Sequence, residues 1–243
     1  MVGAPTAISD ADIKFAAELS EKYEKLQPAE IIAQALETRL FRKPAVVSSF
    51  GAEAVVLLHM VASIRPSMPV VFIDTGKLFG ETLRYRDRLQ HHLGLEDVRT
   101  VGPKKAEIEE HDPMGSLNRL SPDACCAVRK TAVLNRALQP FDSWLSGRKR
   151  HQSDLRRQMS IVEIAEGRAK LNPLSNWSQE ELKHYIITNR LPMHPLTKDG
   201  YFSIGCLPCS ERAMPNEDPR SGRWKGFQKT ECGIHLPPDR NKD

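Results

Sequence analysis

The sequence predicts an α/β fold: a doubly wound, mostly parallel sheet followed by a mobile C-terminal tail. Three observations predict it. From residue 45 onward short β-branched runs alternate with longer stretches of helical period, small-residue turns join them, and after Cys209 the patterning fades into Pro, Gly and charge. Strands that alternate with helices imply parallel pairing through crossover helices. A chain of 243 residues is long enough to bury a sizeable core. We expect N-terminal helices over 1–44, the α/β domain over 45–210 and the tail over 211–243.

The elements follow in order. Residues 10–40 read as two amphipathic helices, with Ile13, Ala16, Leu19, Tyr23 and Leu26 on one stripe and Ile31, Ile32, Ala35, Leu36 and Leu40 on the other. Pro28 separates them and suits a first helical position. "AVVSSF" (45–50) reads as a buried strand, "EAVVLLHMVASI" (53–64) as a helix and "PVVFIDTG" (69–76) as a second strand. A helix through "GETLRYRDRLQHHL" and a strand at "DVRTV" (97–101) come next. "SPDACCAVRKTAVLNRAL" reads as one helix with Ser121 as its cap and Pro122 at its first position. "FDSWLSG" is a strand, a basic loop follows, and apolar runs stand at 161–164 and 171–174. The last helix, 178–189, opens on a capping box of Ser178 and Glu181.

Composition narrows the function. The chain is 40% hydrophobic and 27% charged, as in an ordinary globular protein. No apolar run is long enough to cross a bilayer, so no membrane partner is expected. The N-terminal stretch lacks a basic start followed by an apolar segment, which argues against secretion and for a cytoplasmic, reducing location. The net charge of +4 is unevenly spread: residues 129–157 hold eight basic residues against two acidic ones. This implies an anionic ligand, with a solvated basic face as the plain alternative. No pattern of interleaved aromatics or helix-turn-helix supports nucleic acid.

Two strand ends carry chemistry suited to that ligand. Ser48, Ser49 and Gly51 lie between strand and helix, where backbone N–H groups cradle phosphates. Asp74 and Thr75 end the next strand, placed to hold a ribose or base. Neither a Walker pattern nor G-x-G-x-x-G is present. The five cysteines are more specific. Cys125 and Cys126 are adjacent, and Cys206 and Cys209 form a CxxC pair. Neighbouring Cα atoms stand ~3.8 Å apart, below the ~4.4–6.8 Å range of disulfides. Two such pairs point to a four-thiolate site, either zinc or an iron–sulfur cluster, with inert buried cysteines as the plain alternative. Vicinal thiolates crowd one small tetrahedron, and a cuboidal cluster with separate corners accepts them better, which favours a 4Fe–4S cluster. Lys130, about one helical turn away, is placed to offset its charge. Cys232 is left over, in "ECGIH": either a nucleophile or a plain exposed thiol. Glu231 beside it disfavours a thiolate, whereas Lys229, His235, Arg220 and Arg223 are the cations that the tail offers.

From about residue 45 to residue 236 the chain resembles the assimilatory adenylyl-sulfate (APS) reductases, iron–sulfur relatives of the phosphoadenylyl-sulfate (PAPS) reductases. The motifs that carry this are SSFGAE, FIDTGKLF, CCAVRK, WLSGRKRHQSDLR, NPLSNWS, GYFSIGCLPC, EDPRSGRW and ECGIH. In that family the two-pair cysteine set accompanies the APS-type enzyme. The resemblance implies an adenine-nucleotide α-hydrolase-like sheet. Ser48, Ser49, Gly51 and Glu53, with Asp74 and Thr75, would hold the adenosine part. Gly147, Arg150 and Arg157, with Arg220 and Arg223, would bind the phosphosulfate. Cys125, Cys126, Cys206 and Cys209 would hold one 4Fe–4S cluster beside Lys130, and Cys232 would be the nucleophile. The implied activity is reduction of APS to sulfite and AMP in sulfate assimilation and cysteine biosynthesis, through a Cys232 thiosulfonate, with thioredoxin or glutaredoxin as electron donor. A PAPS or dual-substrate reductase and an iron–sulfur redox-sensing regulator are the alternatives, and a homo-oligomer is compatible with all of them. Two positions depart from the family pattern. Lys149 stands in one of the two slots after the loop glycine where the family usually shows arginines, and Lys225 where a second aromatic usually follows GRW.

Overall fold

The computed structural model describes residues 8–214, 217–229 and 231–235. Residues 1–7, on which part of the secretion argument rests, and the His235 side chain lie outside that set.

Helix α1 spans Asp10–Tyr23 and α2 Pro28–Leu36. Ser9 caps α1, its hydroxyl accepting from the Asp12 N–H at 3.3 Å while the Asp12 carboxylate accepts from the Ser9 N–H at 3.1 Å. Pro28 opens α2, where a missing N–H costs nothing. Ile13, counted on the α1 stripe, is instead exposed. Next come β1 (Pro44–Val47), α3 (Ala54–Ile64), β2 (Val70–Ile73), α4 (Gly80–Leu93) and β3 (Val98–Val101). The first two strands end earlier than their apolar runs, because Ser48–Phe50 and Asp74–Gly76 turn into loops.

Two short helices, α5 (Lys105–His111) and α6 (Leu117–Leu120), have no counterpart in the sequence pattern. The long helix expected from 121 is broken: α7 (Pro122–Cys126) and α8 (Ala132–Ala137) flank a π-type turn over Ala127–Thr131. Strand β4 (Ser143–Ser146) follows, then a hairpin of β5 (Val162–Ala165) and β6 (Arg168–Leu171), and α9 (Gln179–Thr188) closes the series. Glu166 and Gly167, both left-handed, make the two-residue turn of that hairpin.

The six strands run β3-β2-β1-β4-β6-β5, parallel except for the β5–β6 pair. Side chains alternate across them. Val46, Val70, Phe72 and Leu145 point into the larger core, beneath α1–α4 and α9, whereas Ala45, Val71 and Trp144 face Leu134 of α8 and Leu138, which caps it. Both faces are thus covered, as parallel sheets require. The chain builds outward from β1 to β3, then crosses back to β4 on the other side of β1. That reversal opens a crevice at the carboxyl ends of β1 and β4, where open α/β sheets bind ligands.

Candidate active site

A cleft of about 280 Å³ occupies this crevice. Its first wall is the loop after β1. Phe50 is fully buried and left-handed (φ 49°), and its ring meets Phe72 edge-on at 5.3 Å. The Ser48 hydroxyl accepts from the Phe50 N–H at 3.2 Å, so the turn is pinned from within. A Cβ at Gly51 would come within 3.2 Å of the Ile204 carbonyl, a tight approach that glycine avoids. Ser48, Ser49, Gly51 and Glu53 all line the cleft, as does Thr75. Asp74 does not: its carboxylate accepts from the Gly76 N–H at 2.9 Å and serves the turn.

The basic loop after β4 forms the second wall. Gly147, Arg148, Lys149 and Arg156 line the cleft. Arg150 and Arg157, expected there, lie elsewhere. Arg150 turns back to α1, donating to both Glu24 oxygens at 3.0 and 2.6 Å and to the Met159 carbonyl at 2.8 Å. Arg157 projects outward and pairs with Asp154 at 2.5 Å. Their places are taken by Arg148 and Arg156, which sequence reasoning passed over. In "LRR" two adjacent arginines carry no signal of which one the 3₁₀ turn at Asp154–Arg156 aims inward. Lys149 is buried against Glu53. Burial lowers its ammonium below the ordinary range, and the Glu53 carboxylate opposes that effect.

The tail makes the third wall. Regularity does fade after Cys209, but the described residues fold back onto the domain. Trp224 is buried, with Arg223 over its ring at 4.3 Å, Lys229 at 5.6 Å and Arg220 at 5.8 Å. Lys225, in the slot where an aromatic was expected, is exposed and pairs with Glu211 at 3.4 Å. Arg220, Arg223, Glu231 and Cys232 reach the cleft. Glu231 is buried and bound by Arg156, Nε at 2.5 Å and Nη2 at 2.7 Å, with Arg220 at 3.8 Å.

The cysteines converge behind this wall. Ser121 caps α7, accepting from the Ala124 N–H at 3.3 Å, and Cys125 and Cys126 lie in the turns it opens. Cys206 forms an isolated antiparallel bridge with Leu78, and the Thr75 hydroxyl lies 3.2 Å from the Cys206 sulfur. Burial pushes the Cys125 and Cys209 thiols up, and the Arg129 guanidinium opposes this at Cys125. Cys126 instead turns to Cys232. Its thiol hydrogen bond holds Cys232 well below the usual thiol range; burial opposes this, while Lys130, the Ile234 N–H and Arg223 add to it. Lys130, expected only beside the paired cysteines, therefore serves Cys232 as well. Burial depresses its ammonium, but the Cys232, Cys206 and Cys126 sulfurs outweigh that and leave it raised. Lys229, offered as a local cation, is occupied by Asp123.

Among the described residues, no three of His, Cys, Asp and Glu are gathered as a site for a single metal ion. The donor chemistry nonetheless fits an iron–sulfur cluster: four free thiols, three buried and one half-buried, on two short turns, with Lys130 and Arg223 at hand to balance thiolate charge.

The phosphoadenosine phosphosulfate reductase domain matches residues 43–212, more than half of the chain. The protein belongs to that family. Among the relatives of this reductase family member, the adenosine 5′-phosphosulfate reductase of Chelativorans sp. (strain BNC1) is 46% identical over 231 residues, 94% of this chain and 93% of its own. The phosphoadenosine 5′-phosphosulfate reductase of Gloeobacter violaceus is 39% identical over 223 residues, 89% of this chain and 92% of its own. In fold, the chain is similar to the crystal structure of the PAPS reductase from Candida auris, with a TM-score of 0.70 at 24% identity, covering 84% of this chain and 98% of that one. No described helix is long and apolar enough to cross a membrane.

Proposed function

We propose that this chain reduces adenylyl sulfate to sulfite and AMP in sulfate assimilation, with Cys232 as the nucleophile. The observation that carries the reading is the position of Cys232: it lines the same cleft as the Ser48–Glu53 loop and the inward-facing cations. The relative named for adenosine 5′-phosphosulfate supports the substrate.

In this reading the loop after β1 and the start of α3 hold the nucleotide, and Arg148, Arg156, Arg220 and Arg223 bind the phosphosulfate. Guanidinium forks suit such oxyanions better than a point charge does. Cys232 thiolate attacks the sulfur, the S–O bond to phosphate breaks, and AMP leaves with the electron pair. A dithiol protein of the thioredoxin or glutaredoxin class then attacks the Cys232 sulfur of the thiosulfonate. Sulfite leaves, and the donor's second thiol resolves the mixed disulfide, supplying both electrons. The cations stabilise charge moving onto the leaving phosphate. The Cys126 hydrogen bond is the largest influence that favours the Cys232 thiolate, against burial, and Lys130, the Ile234 N–H and Arg223 add to it; with Cys126 as a ligand thiolate, only these last three would remain to do so. Cys125, Cys126, Cys206 and Cys209 would hold a 4Fe–4S cluster, which when bound supplies a structural and electrostatic centre rather than electrons.

The test is a sulfite assay with adenylyl sulfate and reduced thioredoxin. Cys232→Ser is expected to abolish sulfite release and leave AMP binding intact; sulfite at the native rate would refute the assignment. The Gloeobacter relative favours a second reading, with PAPS as substrate. The same assay with PAPS separates them: the first reading expects the higher kcat/KM with adenylyl sulfate.

A further inference from the structure

The nucleophile's neighbour, Glu231, is an odd choice for a site that binds anions. A carboxylate beside a thiolate raises its pKa and repels a phosphosulfate. Yet the residue is 4% exposed and reaches into the cleft. Its two oxygens take the Nε and Nη2 of Arg156 in a bidentate pair at 2.5 and 2.7 Å. One oxygen also accepts the N–H of Cys232 itself, at 2.9 Å. Arg156 is anchored in turn, donating to the Gln152 side chain, whose amide reaches Glu53 at 3.2 Å. The chain of contacts therefore runs from the start of α3, through the basic loop, to the backbone of the reactive cysteine.

We propose that Glu231 is the latch of the Cys232 arm, a positioning residue whose grip on Arg156 seats the thiol over the cleft. This rests on the proposed function for its meaning. The physical case is that a buried bidentate pair fixes both distance and direction, and that the shared oxygen on the Cys232 N–H passes this orientation one residue along. Burial raises the Glu231 carboxyl, and the Arg156 and Arg220 guanidiniums outweigh it and hold the carboxylate ionised. The charged groups that face the pair are Arg220 of the tail and Arg148 of the basic loop; both favour an ionised Glu231, and both are repelled by Arg156.

The experiment is alkylation of the holoprotein by iodoacetamide without substrate, with each cysteine followed by mass spectrometry on the pH plateau where Cys232 is fully ionised. Glu231→Gln, which keeps shape and loses charge, is expected to label at Cys232 about tenfold faster than the native protein, the loss of one charged hydrogen-bond pair. Glu231→Asp is expected to recover part of the protection. In turnover, Glu231→Gln is expected to lower kcat more than it changes KM for adenylyl sulfate, since Arg148, Arg220 and Arg223 remain in the cleft. Native labelling rates in Glu231→Gln, or equal exposure of all five cysteines, would overturn the latch. Failure of the native protein to release sulfite would overturn the function instead, and the labelling comparison would still decide the latch.

Discussion

Arg150 and Arg156 are six positions apart in one basic loop and do opposite things. Arg150 spans the surface to Glu24, a half-exposed pair of the kind worth about 0–1 kcal/mol. Arg150→Ala is expected to leave kcat/KM for adenylyl sulfate within about twofold of native, because the side chain does not line the cleft. Arg148→Gln is expected to weaken AMP binding about tenfold, read by calorimetry, as one charge-assisted contact is lost. Sequence alone gave the loop and its charge, but not the direction of each side chain. Direction is decided by partners far off in the chain: Glu24 for Arg150, Glu53 for Lys149, Glu231 for Arg156. Composition carries no trace of such pairings. The cysteines stood out in the sequence because their spacing is itself chemical information.

Among the elements, β1 to β4 and the amphipathic helices α1 to α4 and α9 were read correctly in kind, whereas β6 lies mostly before the apolar run at 171–174 and went unread. Helix α5 was missed because none of its residues is buried, so it leaves no apolar stripe. The break at Ala127–Thr131 was also hidden. There the π-type turn brings Arg129 against Asp112 at 2.8 Å and the Thr75 carbonyl at 2.8 Å, tertiary contacts that outweigh helical propensity. At the sheet's edge, β5 is covered by α1. The Ser20 hydroxyl accepts from the Val162 N–H at 2.8 Å and donates to its carbonyl at 3.0 Å. Ser20→Ala leaves both groups of an edge strand without that partner, and urea unfolding should show a loss of about 1–3 kcal/mol.

For the molecule as a whole, the sharpest expectation concerns iron. Protein purified without oxygen should carry about four iron and four sulfide per chain. Serine at Cys125, Cys126, Cys206 or Cys209 should lose the visible absorbance, and Cys232→Ser should keep it. Zinc in place of iron, or iron lost equally from all five variants, would contradict the division of labour among the thiols.

The central strand pair also constrains how the molecule comes into being. β1 is bonded on one side to β4, Pro44 against Ser143, so about a hundred residues of chain are looped out between them. Closing such a loop costs about 4 kcal/mol in chain entropy before any contact is gained. During synthesis β1, β2 and β3 emerge well before their missing neighbour and present one unpaired apolar edge until residue 143 arrives. Slow refolding and a need for chaperone shelter in that interval are the natural outcome of building a nucleotide crevice at a reversal of strand order.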